Sequence, residues 1–84
     1  MLVSELIRKT KYDDLNDILS ISFEGDRGMS YSDGGPIGFE IMKDMETDEL
    51  TGLIIYYPVS KQKDRQEKLN EMGFDFRISD LVKQ

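Results

Sequence analysis

The chain has 84 residues, a net charge of −6, and no cysteine, histidine, tryptophan or alanine. That composition excludes a disulfide framework, a thiolate or imidazole site for a soft metal, and catalysis built on a histidine base. Leu, Ile, Val and Phe supply 23 residues, above the roughly 20% below which charged chains stay unfolded, so a single domain over residues 1–84 is expected, with a core that must be used efficiently.

Taken in chain order, Leu2 to Lys9 fits two descriptions. Leu2, Val3, Leu6 and Ile7 have helical spacing, but the stretch is short and uncapped, and a strand over Leu6 to Lys11 is the preferred assignment. Tyr12 to Asp17 reads as a turn, because Asp and Asn side chains bond their own downstream backbone. From Ile18 to Phe23 the residues alternate, with Leu19, Ile21 and Phe23 on one face and Ser20 and Ser22 on the other, which predicts a half-buried strand. A glycine-rich turn over Glu24 to Gly28 leads to a short edge strand from Met29 to Ser32. Asp33-Gly34-Gly35-Pro36 breaks the chain again. Ile37, Phe39 and Ile41 alternate with Gly38, Glu40 and Met42 in a further strand, and Asp44 to Leu50 follows as an acidic loop.

Gly52 to Tyr57 is apolar on both faces, so it belongs at the centre of a sheet or beneath a helix. Pro58, which has no N–H to donate, should end it. Ser60 is placed to cap a helix from Lys61 to Met72 that closes at Gly73, with Asp64 and Lys68 paired one turn apart. Only Leu69 and Met72 are apolar there, so one end of the helix docks. Phe74, Phe76 and Ile78 alternate as a last strand or as an extended tail on the core. Ser79 is placed to cap a final turn that carries Leu81 and Val82. The sum is an α+β fold: a small twisted antiparallel sheet of about four or five strands with a C-terminal helix.

Three segments carry a resemblance. They are Tyr12-Asp13-Asp14-Leu15-Asn16-Asp17-Ile18-Leu19-Ser20-Ile21, Gly35-Pro36-Ile37-Gly38-Phe39-Glu40, and Thr51-Gly52-Leu53-Ile54-Ile55-Tyr56-Tyr57-Pro58-Val59-Ser60. Together they resemble a family of small bacterial and phage proteins catalogued as a domain of unknown function. Its signature is Tyr-Asp followed, after a turn, by Asp-x-Leu-x-Ile. The chain departs from it at Ser20, where Tyr is usual. The resemblance implies a compact β-meander with no established activity. Some members are encoded beside small toxin-like partners, so it also implies an antitoxin-like role by analogy.

Charge is unevenly spread. Between Tyr12 and Glu49 eleven acids face only Arg27 and Lys43, which argues against a nucleic-acid partner held through phosphates. Lys61, Lys63, Arg65 and Lys68 are interrupted by Asp64, Glu67 and Glu71, as on a solvated helix. Asp13, Asp14 and Asp17 lack the spacing of an EF-hand loop, and no residue pair stands out as catalytic. The expectation is therefore a non-enzymatic interaction module with no cofactor and no metal. Its acidic surface, Asp13, Asp14, Asp17, Asp44, Glu46, Asp48 and Glu49, would meet a basic protein partner. The alternatives are a small divalent-metal or carboxylate-dependent protein centred on Asp13, Asp14 and Asp17, and a structural domain that pairs strand edges into a homodimer. The longest apolar run, Leu53 to Tyr57, is far short of the ~20 residues that span a bilayer. The first residues have no basic n-region, so no signal peptide or membrane association is expected and the location is cytoplasmic.

Overall fold

Period-2 alternation and turn chemistry produce five strands, and the computed structural model describes residue 7, residues 9–23 and residues 30–82. The strands are β1 (Lys9–Asp13), β2 (Ile18–Ser22), β3 (Ser30–Ser32), β4 (Phe39–Asp44) and β5 (Leu50–Tyr56), followed by the helices α1 (Gln62–Glu71) and α2 (Ile78–Leu81). They form one sheet in the order β1-β2-β5-β4-β3, with every neighbouring pair antiparallel. The fold is α+β, as expected, and among the described residues both helices follow the last strand. Among the described residues no helix is long and apolar enough to cross a membrane.

Register sorts the side chains into two faces. Tyr12, Leu19, Ile55 and Phe39 lie in one cross-strand row, and Thr10, Ile21, Leu53 and Ile41 in the next. These rows form the floor of the core, where Leu19, Leu53 and Ile55 are fully buried. Between Met42 and Lys43 the β4–β5 register shifts by one residue, so Lys43 opposes Leu50 and Thr51 is the extra residue. The shift matters because side chains alternate between faces: without it Leu50 would share the face of Gly52 and Ile54. With it, Leu50 packs against the core.

The strand limits differ from expectation where tertiary pairing overrides local signals. Leu6 and Arg8, the early part of the anticipated first strand, lie outside the described residues, as do Leu2, Val3, the Glu24–Gly28 turn and Met29. β1 runs on through Tyr12 and Asp13, which pair with Leu19 and Ile18 instead of turning. Ile37 is 83% exposed, not a core strand residue. The Phe39 N–H donates to Pro36 O at 3.0 Å, closing a turn through Gly38 at φ +90. β5 occupies the centre of the sheet, as its two-sided apolar run implied. It ends at Tyr56, two residues before Pro58, because Tyr57 takes φ +59.

One face of the sheet is roofed by α1 and the chain that follows it. Leu69, Phe74, Phe76 and Ile78 are buried against Leu19, Ile21, Phe23 and Phe39. Phe23 and Phe74 stack at 5.9 Å, with Phe76 tilted against both. The segment from Phe74 to Arg77 is an extended tail, the second of the two expected forms. Gly73, at φ +95, turns the chain out of α1 in the left-handed conformation that favours glycine at a helix end.

The two expected helix caps are not formed. Lys61 occupies the cap position of α1 and Arg77 that of α2, and neither makes a side-chain capping bond. The Ser60 hydroxyl is engaged elsewhere, as described below, and Ser79 lies inside α2. A further departure is Arg65: it is 4% exposed, so α1 docks through a charged residue as well as through Leu69.

Gln66 holds the tail to α1 with both ends of its amide. Its Nε2 donates to Phe76 O at 3.0 Å, and its Oε1 accepts the Ile78 N–H at 2.8 Å. Gln66→Ala removes both bonds at a partly buried site, so we expect a loss of about 1–1.5 kcal/mol, read as a lower urea midpoint at unchanged m-value.

Candidate functional site

The carboxylates expected to form one acidic surface lie at opposite ends of the sheet. Asp13, Asp14 and Asp17 belong to the β1–β2 turn, beside Tyr56. Asp44, Glu46, Asp48 and Glu49 belong to the β4–β5 turn, at the start of β5. The length of β5, about 20 Å at ~3.3 Å per residue, separates the two groups, so they do not make a continuous belt.

At the first end Asp13 and Asp17 are used within the fold. Asp13 Oδ1 accepts the N–H groups of Leu15 at 3.1 Å and Asn16 at 3.3 Å, and its Oδ2 accepts Asn16 Nδ2 at 2.9 Å. The Asn16 side-chain amide, with the turn N–H groups, holds this carboxyl below its usual pKa. Asp17 sits at φ +55 and reaches across to the β5–α1 connection. Its Oδ1 accepts the Tyr12 hydroxyl at 2.8 Å and the Val59 N–H at 3.2 Å. Its Oδ2 accepts the Ser60 N–H at 2.9 Å and the Ser60 hydroxyl at 2.6 Å. Its backbone carbonyl takes the Tyr57 N–H at 2.8 Å. Burial works against the ionised form of Asp17, but the Ser60, Tyr12 and Val59 donors outweigh it and keep the carboxyl below its ordinary pKa. The same bond pushes the Tyr12 phenol up to about 12.

This Tyr–Asp–Ser arrangement is a tie between loops. A carboxylate saturated by four donors and held in its ionised form has little capacity to take a proton from Ser60. Asp14 alone of the three is exposed with no bond assigned to it. Asp13 bonds forward in its own turn and Asp17 across to Ser60. Among the described residues no three Asp, Glu, His or Cys side chains come together as a metal-ligand group.

At the other end the turn is held from inside. Asp44 is 7% exposed, and its Oδ1 accepts the N–H groups of Glu46 at 2.7 Å and Thr47 at 3.2 Å. The Asp48 N–H donates to Asp44 O at 2.9 Å, and Asp48 then takes φ +63. The Glu49 N–H donates to the Thr47 hydroxyl at 3.3 Å. Asp44 is thus the brace of the turn rather than part of its outer surface, while Glu46, Asp48 and Glu49 are exposed. The Tyr31 hydroxyl donates to Asp48, and that bond pushes the phenol up to about 12. The nearest cation in sequence, Lys43, is engaged at 2.8 Å by Asp33, whose hydrogen bond raises the ammonium pKa.

The basic residues of α1 are likewise not one free surface. Arg65 Nε donates to Tyr56 O at 2.7 Å and Nη1 to Asp64 at 2.5 Å, while Lys68 meets the other Asp64 oxygen at 3.0 Å. Lys68, then Arg65, holds Asp64 below its ordinary pKa. The guanidinium of Arg65 lies against Gly38, where an added Cβ would overlap its Cζ and Nε. Sequence patterning missed both the burial of Arg65 and the Asp17–Ser60 tie, because Gly38 and the Tyr56 carbonyl reach Arg65, and Ser60 reaches Asp17, only through the tertiary fold. Tyr56 is half-buried outside the core cluster and donates to Glu40 Oε2 at 3.0 Å, and Tyr57 is exposed.

No family model, no curated protein and no solved structure matches the chain.

Proposed function

We propose that the chain is a non-enzymatic, cytoplasmic protein-interaction module that presents the β4–β5 turn to a basic protein partner, in the manner of an antitoxin or a phage-encoded inhibitor. One observation carries the reading: Asp44, from inside the turn, fixes the backbone on which Glu46, Asp48 and Glu49 stand exposed. A braced loop spends less conformational entropy on binding than a mobile one, and a single-sign array speeds encounter with a partner of opposite charge. The surface is thereby narrowed to the exposed carboxylates of that turn, Glu46, Glu49 and Asp48, which accepts the Tyr31 hydroxyl, because Asp44 is buried within it and Asp13, Asp14 and Asp17 are at the far end.

The test is affinity capture from host lysate at low and high salt. A basic protein should be retained at low salt and released by about 0.5 M, where screening shortens the reach of charge to a few ångströms. The triple variant Glu46→Lys, Asp48→Lys, Glu49→Lys should fail to retain it while remaining folded by circular dichroism, with a melting point lowered by the lost Tyr31 bond and the strain of a lysine at φ +63. Undiminished retention by that variant would overturn the assignment.

A further inference from the structure

The face of the sheet opposite the helices is self-complementary, and we propose that it is the contact surface of a homodimer in which two sheets stack face to face. Both helices and the tail pack on the Leu19 and Leu53 side. On the other side Ile18, Met42, Ile54 and Tyr56 are only partly buried and lie outside the core cluster. The floor between them is low. Ser20, Ser22 and Gly52 present little or no side chain, which allows a second sheet to approach to the usual ~10 Å.

The arrangement of charge selects a second copy as the occupant. One cross-strand row reads Lys11, Ser20, Ile54, Glu40 from β1 to β4. Consider a two-fold axis that runs along the strands between β2 and β5. It exchanges β1 with β4 and β2 with β5, so Lys11 of each copy faces Glu40 of the other, and Ser20 faces Ile54. In the next row, Ile18 on β2 and Tyr56 on β5 exchange in the same way and bring apolar side chains together. A row carrying a cation at one flank, an anion at the other and a small serine and an isoleucine between them therefore matches its own rotated image, as an isologous interface requires. The sheet edges offer less. β1 carries exposed Lys9 and Lys11, and β3 is three residues long, both of which discourage strand addition. Five strands at ~4.8 Å spacing make a face about 20 Å wide, at the small end of dimer interfaces, so the association should depend on concentration.

Sedimentation of the full chain from about 1 µM to about 1 mM tests this. A monomer–dimer equilibrium is expected, and Ile54→Glu at the centre of the face should weaken it at least ~100-fold. Lys11→Glu and Glu40→Lys should each weaken it about 10-fold. The double variant, which restores opposite charges across the axis, should return to within about threefold of the parent. Circular dichroism melts confirm that each variant is folded. The triple reversal of the β4–β5 turn should leave the dimer intact, which separates this surface from the partner-binding turn. A strict monomer over the whole range overturns the proposal, as does a double variant that fails to recover. A heterologous complex that Ile54→Glu abolishes while the chain alone stays monomeric assigns the face to a different protein and overturns it too.

Discussion

Gly38→Ala should destabilise the protein by about 3–4 kcal/mol, enough to leave a small domain largely unfolded near body temperature. Two costs combine. Gly38 sits at φ +90, where an L side chain is strained by about 1–2 kcal/mol. Its missing Cβ also provides the space that the Arg65 guanidinium fills. A methyl group there displaces Arg65, strands a buried charge and leaves Tyr56 O without its 2.7 Å donor, which adds about 1–3 kcal/mol. The second part can be isolated. In an Arg65→Ala background the steric conflict is absent, and Gly38→Ala should then cost only the backbone strain. Urea titrations of the four proteins in this cycle should show a coupling of about 2 kcal/mol. Additivity within about 0.5 kcal/mol would mean that Arg65 and Gly38 do not share the space.

Asp17→Asn should cost about 2 kcal/mol near neutral pH and also change the shape of the pH–stability curve. Asparagine tolerates φ +55 as well as aspartate does, so the loss reports on the side chain. The amide offers one acceptor oxygen where the carboxylate offered two, and its NH2 group must face either the Val59 N–H or the Ser60 N–H, donor against donor. A charged acceptor is worth more per bond than a neutral one, although partial exposure here reduces the gain.

The sign with pH follows from the lowered pKa. Asp17 is ionised more readily in the folded chain than at its ordinary value of 3.8. Its contribution is complete above that value and is lost as the pH falls through the lower folded pKa. Thermal melts of Asp17→Asn should therefore be depressed at pH 7 and converge on the parent in acid. Some acid sensitivity should survive in the variant, because Asp13 and Asp64 are lowered as well. A constant offset between the two proteins at every pH would show that the charge is not what Asp17 supplies.

What could be read from the chain is what local periodicity controls. Leu19, Ile21 and Phe23 alternate with serines, and a strand with one buried face follows directly. The two-sided run Leu53 to Tyr57 implied a central strand, and β5 is central. The failures have a common cause. Alternation at Ile37, Phe39 and Ile41 extends one step too far, because Gly38 at φ +90 turns the chain and puts Ile37 in solvent. Ser60 has the character of a helix cap, but its hydroxyl is taken by Asp17, 43 residues earlier. Arg65 reads as one more cation on a solvated helix until the backbone of Tyr56 and the bare Cα of Gly38 are brought beneath it. The acidic turn was recognisable as a cluster. The inward orientation of Asp44 was not, because it depends on where β4 ends.

The strand order has a kinetic consequence. Hairpins joining β1 to β2, β3 to β4 and β4 to β5 connect neighbours in sequence and close short loops. The β2–β5 pairing alone joins strands that are not consecutive in the chain, and the Asp17–Ser60 tie fastens that same seam. Local pairings form fast and the distant one carries the loop-closure entropy, so the seam sets the pace of folding. A single chain cleavage between residues 23 and 30 would leave the hairpin on one fragment and β3, β4, β5 and both helices on the other. Refolding of the nicked protein would then become second order in fragment concentration. The two pieces form a natural split pair, reassembled through one ladder of five residue pairs, the Asp17–Ser60 tie and the packing of Phe23 on Phe74 and Phe76.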